Sequence, residues 1–295
     1  MTGRIYLLLL AGVFSVSWAA PLIRLCDAPA LVIAFYRMGI ASLFLLPVVL
    51  FKYPRETREL LSTGWKLSLL SGVFLGLHFA LWVSSLFYTS VASSVVIVAT
   101  QPLFALTLSW IFLKEKAHFV TFLAVLLALV GVYVIGSGDL QLDRKHLIGD
   151  VLALLGAVMA AAYYTVGRNL RRTFHIAPYV FVVYSVSAVT LAVIITVYGL
   201  SFSPVSDKNI WLFVLLAVVP TVIGHSLFNY LLKYITAYTV GISILGEPIG
   251  ASLWAFLLFA EIPAKSVYLG AALILVSVVL ALWNESRTRL TPIEK

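Results

Sequence analysis

Residues 179–198, YVFVVYSVSAVTLAVIITVY, form a run of 20 residues that contains no charged side chain. A helix of this length rises about 30 Å, which matches the hydrocarbon core of a bilayer. The run lacks the strict alternation of apolar and polar residues that is typical of a membrane β-barrel strand. It therefore predicts a transmembrane helix, and similar runs recur along the whole chain.

The composition indicates that most of the chain is surrounded by lipid. Of its 295 residues, 62% are hydrophobic and 11% are charged, whereas soluble domains carry about 25% charged residues. Cys26 is the only cysteine, so we expect neither an internal disulfide nor a cysteine-based metal site, and we expect no cofactor. The P-loop pattern GxxxxGK[ST] is absent from the sequence, which excludes ATP-driven transport by this chain alone.

The apolar runs predict an all-α integral membrane protein with ten transmembrane helices. The connections between them are short, and the longest covers residues 52–66. The predicted spans are 5–23, 31–51, 67–88, 92–112, 119–135, 148–167, 179–198, 211–232, 239–259 and 267–283.

The distribution of Lys and Arg predicts the orientation. With a cytoplasmic N-terminus, 14 basic residues fall in cytoplasmic segments and 5 fall in external ones. Cytoplasmic loops of membrane proteins carry such an excess. We therefore expect both termini in the cytoplasm and the chain in the cell (inner) membrane. The net charge of +8 is explained in this way without a nucleic-acid partner.

Landmarks of the first half recur in the second half at an offset of 146 or 147 residues. The pairs are His78 with His225, Gln101-Pro102 with Glu247-Pro248, and Glu115 with Glu261. Five spans per half is an odd number, so the second half would enter the membrane in the opposite orientation. The sequence therefore predicts two inverted five-helix repeats, residues 1–138 and 139–295, in one transmembrane domain.

Residues 78–116, HFALWVSSLFYTSVASSVVIVATQPLFALTLSWIFLKEK, resemble the EamA-type branch of the drug/metabolite transporter superfamily. The second half carries a similar pattern from His225 to Gly270. The resemblance implies ten helices, cytoplasmic termini and transport of metabolites, often outward. Glu247 precedes the second proline where Gln101 precedes the first, so the chain departs from a scheme that needs a symmetric acid pair.

Ionisable side chains are rare within the predicted spans, and such residues usually mark functional sites. Glu247 would bind the ammonium of a substrate or a coupling proton, or it would form a structural ion pair. Arg37 would snorkel to the interface, or it would bind a substrate carboxylate; we favour snorkelling. The candidate cavity residues are Trp18, His78, Trp82, Gln101, Tyr164, His225, Asn229 and Glu247.

Prolines and glycines within spans add two further interpretations. Pro102, Pro220 and Pro248 each remove a helical hydrogen bond, so we predict kinks that serve as hinges or as static packing features. The GxxxG patterns Gly72–Gly76 and Gly246–Gly250 would let two helices approach closely. They fit contacts within the bundle, and they also fit the face of a homodimer.

These features favour a secondary transporter, specifically an exporter of small organic metabolites such as amino acids, working by alternating access. Its partners would be the solute, the bilayer and, for a coupled carrier, protons. An importer or exchanger of nucleotide sugars or other anions ranks lower, because such solutes need several buried cations. A membrane-embedded enzyme ranks lower still, because no clustered catalytic motif is present, and a channel would favour a continuous polar stripe.

Overall fold

The fold is known from a computed structural model that describes residues 3–89, 94, 97–115, 118–136, 144–202, 206–259 and 265–290. The described residues form helices joined by short turns. The α-helices are α1 Gly3–Val16, α2 Ala19–Arg24, α3 Ala30–Lys52, α4 Pro54–Thr63, α5 Trp65–Ser85, α6 Gln101–Leu108, α7 Phe119–Gly136, α8 Arg144–Leu170, α9 Ile176–Val197, α10 Asp207–Leu216, α11 Ser226–Leu231, α12 Ala237–Ile244, α13 Glu247–Phe259 and α14 Lys265–Leu290. Two π-helical segments, Ser109–Leu113 and Ala217–His225, continue α6 and join α10 to α11.

The helices confirm the predicted all-α membrane class. In the part of the chain that the structure describes, eight helical stretches are long and apolar enough to cross a bilayer. Two shorter apolar helices, Gln101–Leu113 and Phe119–Ile135, correspond to the predicted fourth and fifth spans. Residues 92–93 and 95–96 of the fourth span lie outside the described residues. The count of ten spans therefore stays a prediction.

The longest connection contains a helix, α4, that was not predicted from the sequence. Pro54 begins the helix, where its missing N–H costs nothing, and Glu56 lies in the first turn, where the helix dipole favours an acidic side chain. Leu60 is buried and close to the ring of Phe174 near Gly64. The short helix is therefore stabilised by packing against the bundle, which hydropathy alone does not reveal.

Two of the three candidate hinge prolines lie at the start of a helix. Pro102 is the second residue of α6, and Pro248 is the second residue of α13. The predicted ninth span is therefore broken at residues 245–246, between α12 and α13. A proline fits in the first turn because that position needs no N–H donor, whereas it disrupts a helix interior. Pro220 lies instead within the π-helical segment Ala217–His225.

Glycines allow close approach of helices inside the bundle. A Cβ on Gly72 would lie 2.5 Å from the Cβ of Val186 in α9. A Cβ on Gly250 would lie 2.5 Å from the side chain of Ser17, near the first helix. Both GxxxG patterns thus serve contacts within the chain, and the predicted homodimer gains no support from them.

We expect the substitution Gly72→Ala to lower the thermal unfolding temperature, because the added methyl group overlaps Val186 and overpacking costs about 1–3 kcal/mol. Gly39→Ala is the matched control, because a Cβ there meets nothing within 4 Å and alanine favours the helix by about 0.5–1 kcal/mol. Thermal unfolding in detergent measures both. Equal stability of the two variants would contradict the packing of α5 on α9.

The orientation predicted from charge is testable at exposed positions. Cysteines at Ser62 and Thr173 should react with an impermeant maleimide only from the cytoplasmic side, and one at Lys208 only from outside. Burial raises the pKa of the native Cys26 thiol to about 12, so that thiol reacts slowly and interferes little. The reverse labelling pattern would contradict the orientation.

Candidate functional site

One cavity in the interior collects polar side chains from both halves of the chain. It encloses about 690 Å³ of empty space, counting the part that opens to solvent. Side chains from the first, second, third, fourth, sixth, eighth and ninth predicted spans line it. The predicted site residues that line it are His78, Trp82, Gln101, Tyr164, His225, Glu247 and Pro248.

Four predicted site residues lie beside the cavity lining and not in it. Trp18 stacks on Trp254 with ring centroids 3.8 Å apart, which joins the first helix to α13. Asn229 is buried and donates hydrogen bonds to the Tyr163 hydroxyl and to the carbonyl of His225. The remaining two are Pro102 and Pro220, which are both buried in helical segments.

Among the lining residues that were not predicted as site residues, those with a charged or aromatic side chain are Arg37, Phe79 and Tyr163. The preferred interpretation of Arg37 as a snorkelling side chain is wrong, because this residue is 1% exposed. Arg37 lies two turns into α3, from where its side chain could extend to the membrane interface. The direction in which the side chain points is set by packing, which its depth in the helix does not reveal. The usable signal was the rarity of a cation within a span.

The guanidinium of Arg37 is hydrogen-bonded through its Nε, whereas its two Nη atoms lack a partner within the described ranges. Its Nε donates a 2.7 Å hydrogen bond to Thr221 Oγ1, and Thr221 Oγ1 donates in turn to the carbonyl of Leu216 at 2.9 Å. The Cζ atom lies 4.4 Å from the ring centroid of Phe79, a cation–π contact. The Nη1 and Nη2 atoms are buried and have no hydrogen-bond partner among the described residues.

The two histidines are fixed by neutral partners. His78 Nδ1 donates to the carbonyl of Gly156 at 2.9 Å, which fixes a proton on that nitrogen, since a carbonyl can only accept. Its ring lies parallel to that of Trp82, with centroids 6.0 Å apart. His225 Nδ1 is 3.2 Å from the hydroxyl of Tyr164. Both rings are therefore oriented toward the shared cavity by hydrogen bonds to other helices.

Glu247 is the first residue of α13, so its carboxylate lies at the positive end of a helix dipole. No hydrogen bond or ion pair to this carboxylate is found among the described residues. The opposite charge that acts on it is the guanidinium of Arg37. The described lining of the cavity thus contains one cation, Arg37, and one anion, Glu247.

A polar cluster joins helix ends on one side of the cavity. Glu115 accepts a 3.1 Å hydrogen bond from Arg168 Nε and a 2.7 Å hydrogen bond from Arg172 Nη2. Arg168 Nη1 also donates to the carbonyl of Leu232. Because Arg168 follows Tyr164 by one helical turn, the cluster lies about 6 Å along the helix from the cavity lining. It closes the bundle at that end.

Comparison with known proteins identifies the family. The EamA-like transporter family matches residues 1–137 and 147–283. The chain belongs to this family. The two matched segments have the same length and an offset of 146 residues, equal to that between Gln101-Pro102 and Glu247-Pro248. The division into two inverted repeats stays a prediction.

Relatives of this EamA-like protein are named as transporters. An uncharacterized transporter of Archaeoglobus fulgidus is 26% identical over 264 residues, covering 89% of this chain and 90% of the relative. A riboflavin transporter of Vibrio cholerae is 23% identical over 276 residues, covering 88% of this chain and 86% of the relative. A solved crystal structure with 17% identity aligns over 98% of this chain and 99% of its own, with a TM-score of 0.79. The fold and the family together identify a multi-pass membrane transporter.

The contribution of the polar cluster around Glu115 to the stability of this EamA-like protein is testable. We expect Glu115→Gln to lower the thermal unfolding temperature, because the carboxylate loses the charge that strengthens its hydrogen bond to Arg168, which is 10% exposed. Such a hydrogen bond is worth about 1.5–3 kcal/mol. Glu56→Gln is the matched control, since Glu56 pairs with His175, which is 67% exposed. Solvent weakens such a pair. An equal or larger loss in the control would contradict the structural role of the cluster.

Proposed function

We propose that this chain is a secondary transporter that carries small organic metabolites, such as amino acids, outward through the central cavity. The observation that carries the proposal is the presence of Arg37 and Glu247 in one cavity, both without a hydrogen-bonding partner on the open side. Buried charges without partners are costly and are found where a ligand or ion compensates them. A dipolar solute would compensate both.

The walls of the cavity support an organic solute and disfavour a simple ion. Phe79, Trp82 and Tyr164 line the cavity together with the small side chain of Ala160. Aromatic faces bind apolar and aromatic groups. The balance of one cation against one anion also argues against nucleotide sugars, because a diphosphate would meet the negative charge of Glu247. The riboflavin transporter among the relatives makes a flat, uncharged ring system the second candidate solute.

The helix breaks support alternating access. Gln101 and Glu247 each begin a half-helix after a break in a predicted span. Discontinuous helices of this kind form the substrate sites of inverted-repeat transporters. Opening of the cavity toward the predicted cytoplasmic side would require the hydrogen bonds between Glu115 and the two arginines to break. Closure over the solute on the other side would let the cluster re-form, so the solute would face one side at a time.

Glu247 is the group that would exchange a coupling proton, because a buried carboxylate exchanges protons when its surroundings hold it neutral. The Nδ1 proton of His78 is engaged by the carbonyl of Gly156. Export coupled to proton entry would then use the same cavity for both species at different times.

We expect Glu247→Gln to slow efflux of amino acids from liposomes at least tenfold and to remove any effect of an imposed pH gradient, because glutamine neither carries a charge nor exchanges a proton. Glu59→Gln is the control, since Glu59 is exposed on α4. Efflux is followed with a labelled amino acid mixture after reconstitution of the purified protein. Unchanged efflux by Glu247→Gln at every pH would contradict the role of this carboxylate.

A further inference from the structure

An excess of buried hydrogen-bond donors distinguishes one wall of the cavity. Nη1 and Nη2 of Arg37, Nε1 of Trp82 and Nε2 of Gln101 are all buried and have no partner among the described residues. All three side chains line the cavity. Arg37 belongs to α3, Trp82 to α5 and Gln101 to α6. Arg37 is 1% exposed, Trp82 5% and Gln101 7%.

These donors require an acceptor-rich ligand. An arginine and an indole N–H can only donate hydrogen bonds, so no rearrangement among them satisfies the group. An unpaired buried donor costs about 1–3 kcal/mol, and a charged one costs more. Three side chains on separate helices share this deficit at one place. The missing partner is therefore a group with several acceptor oxygens and a negative charge.

The position of the guanidinium favours a planar oxyanion. Thr221 occupies Nε at 2.7 Å, so the two Nη atoms form the free edge. The ring of Phe79, 4.4 Å from Cζ, holds the guanidinium by a cation–π contact. Parallel N–H groups on such an edge match the two oxygens of a carboxylate in a bidentate arrangement.

We propose that Arg37 binds the carboxylate of the transported solute, with the Trp82 N–H as a second donor, while Glu247 binds its ammonium group. This inference rests on the proposed function and defines the class of solute as an α-amino acid zwitterion. Its side chain would lie among Phe79, Tyr164 and Ala160. Such a solute offers a hydrogen-bonding partner to both charged groups at once, whereas an amine or an acid alone would leave one of them without a partner.

The test measures selectivity among three probes of one shape. Phenylalanine carries both charges, phenethylamine lacks the carboxylate, and 3-phenylpropionate lacks the ammonium. Efflux of each from liposomes is compared for the wild type, Arg37→Lys and Trp82→Phe. Arg37→Lys keeps the positive charge and loses the paired N–H donors of the guanidinium. Trp82→Phe keeps an aromatic ring and loses the indole N–H. The matched controls are Arg58→Lys and Trp65→Phe, both at exposed positions.

The wild type should export phenylalanine at least tenfold faster than either analogue. Arg37→Lys should reduce that preference over phenethylamine by about tenfold, and Trp82→Phe should reduce it severalfold, because a hydrogen bond to a charged group is worth about tenfold or more in affinity. Both variants should elute like the wild type in size-exclusion chromatography, which shows that they are folded. The controls should retain the preference of the wild type.

Equal efflux of phenylalanine and phenethylamine by the wild type would overturn the inference. An unchanged preference in both variants would overturn it too. Failure to export phenylalanine or any other amino acid would also overturn it. The proposed function fails separately, only if liposomes preloaded with a mixture of uncharged and charged metabolites lose none of them. Export of solutes that lack a carboxylate would retain the transporter and exclude the zwitterion.

Discussion

The hydrocarbon core of a bilayer offers no hydrogen bonds, and this constraint determines the rest of the structure. Every backbone group at that depth must be satisfied within the protein or face a water-filled cavity. Helices satisfy the constraint along most of the chain. Among the described residues, the helix is interrupted between α1 and α2 and before α6 and α13. Both α6 and α13 begin with a polar residue that lines the cavity, Gln101 and Glu247. Irregular backbone and function thus lie at the same place.

The same constraint gathers the side chains. A cation such as Arg37 cannot face lipid at low cost, so it turns inward, where Thr221 holds Nε and Phe79 lies against its face. The histidines turn inward as well and are fixed by Gly156 and Tyr164. Among the described lining residues, the groups left without a hydrogen-bonding partner include the two Nη atoms of Arg37, the N–H of Trp82 and the carboxylate of Glu247. These unpartnered groups are the ones to which a solute can bind.

Much of this arrangement could be predicted from the sequence, because hydropathy and charge report directly on the bilayer. The membrane class follows from runs such as residues 179–198, and the paired landmarks bring His78, His225, Gln101 and Glu247 to one cavity. Hydropathy and charge indicate how deep a residue lies in the bilayer, but they do not indicate which way its side chain faces around the helix axis. Arg37 was therefore assigned to the interface, and Trp18 was assigned to the cavity although it packs on Trp254. The helix α4 was missed because its stability comes from tertiary contacts of Leu60.

The central claim is that solute passes through this cavity, and blocking the cavity after folding tests it most directly. Ala160 is small, lines the cavity and is 2% exposed. With Cys26 replaced by serine, a cysteine at position 160 is modified by a methanethiosulfonate reagent in reconstituted liposomes, and efflux is measured before modification, after it and after reduction. The account predicts that modification stops efflux, that reduction restores it, and that a cysteine at the exposed Ser62 has no such effect. Undiminished efflux by protein that mass spectrometry shows to be fully modified at position 160 would contradict it.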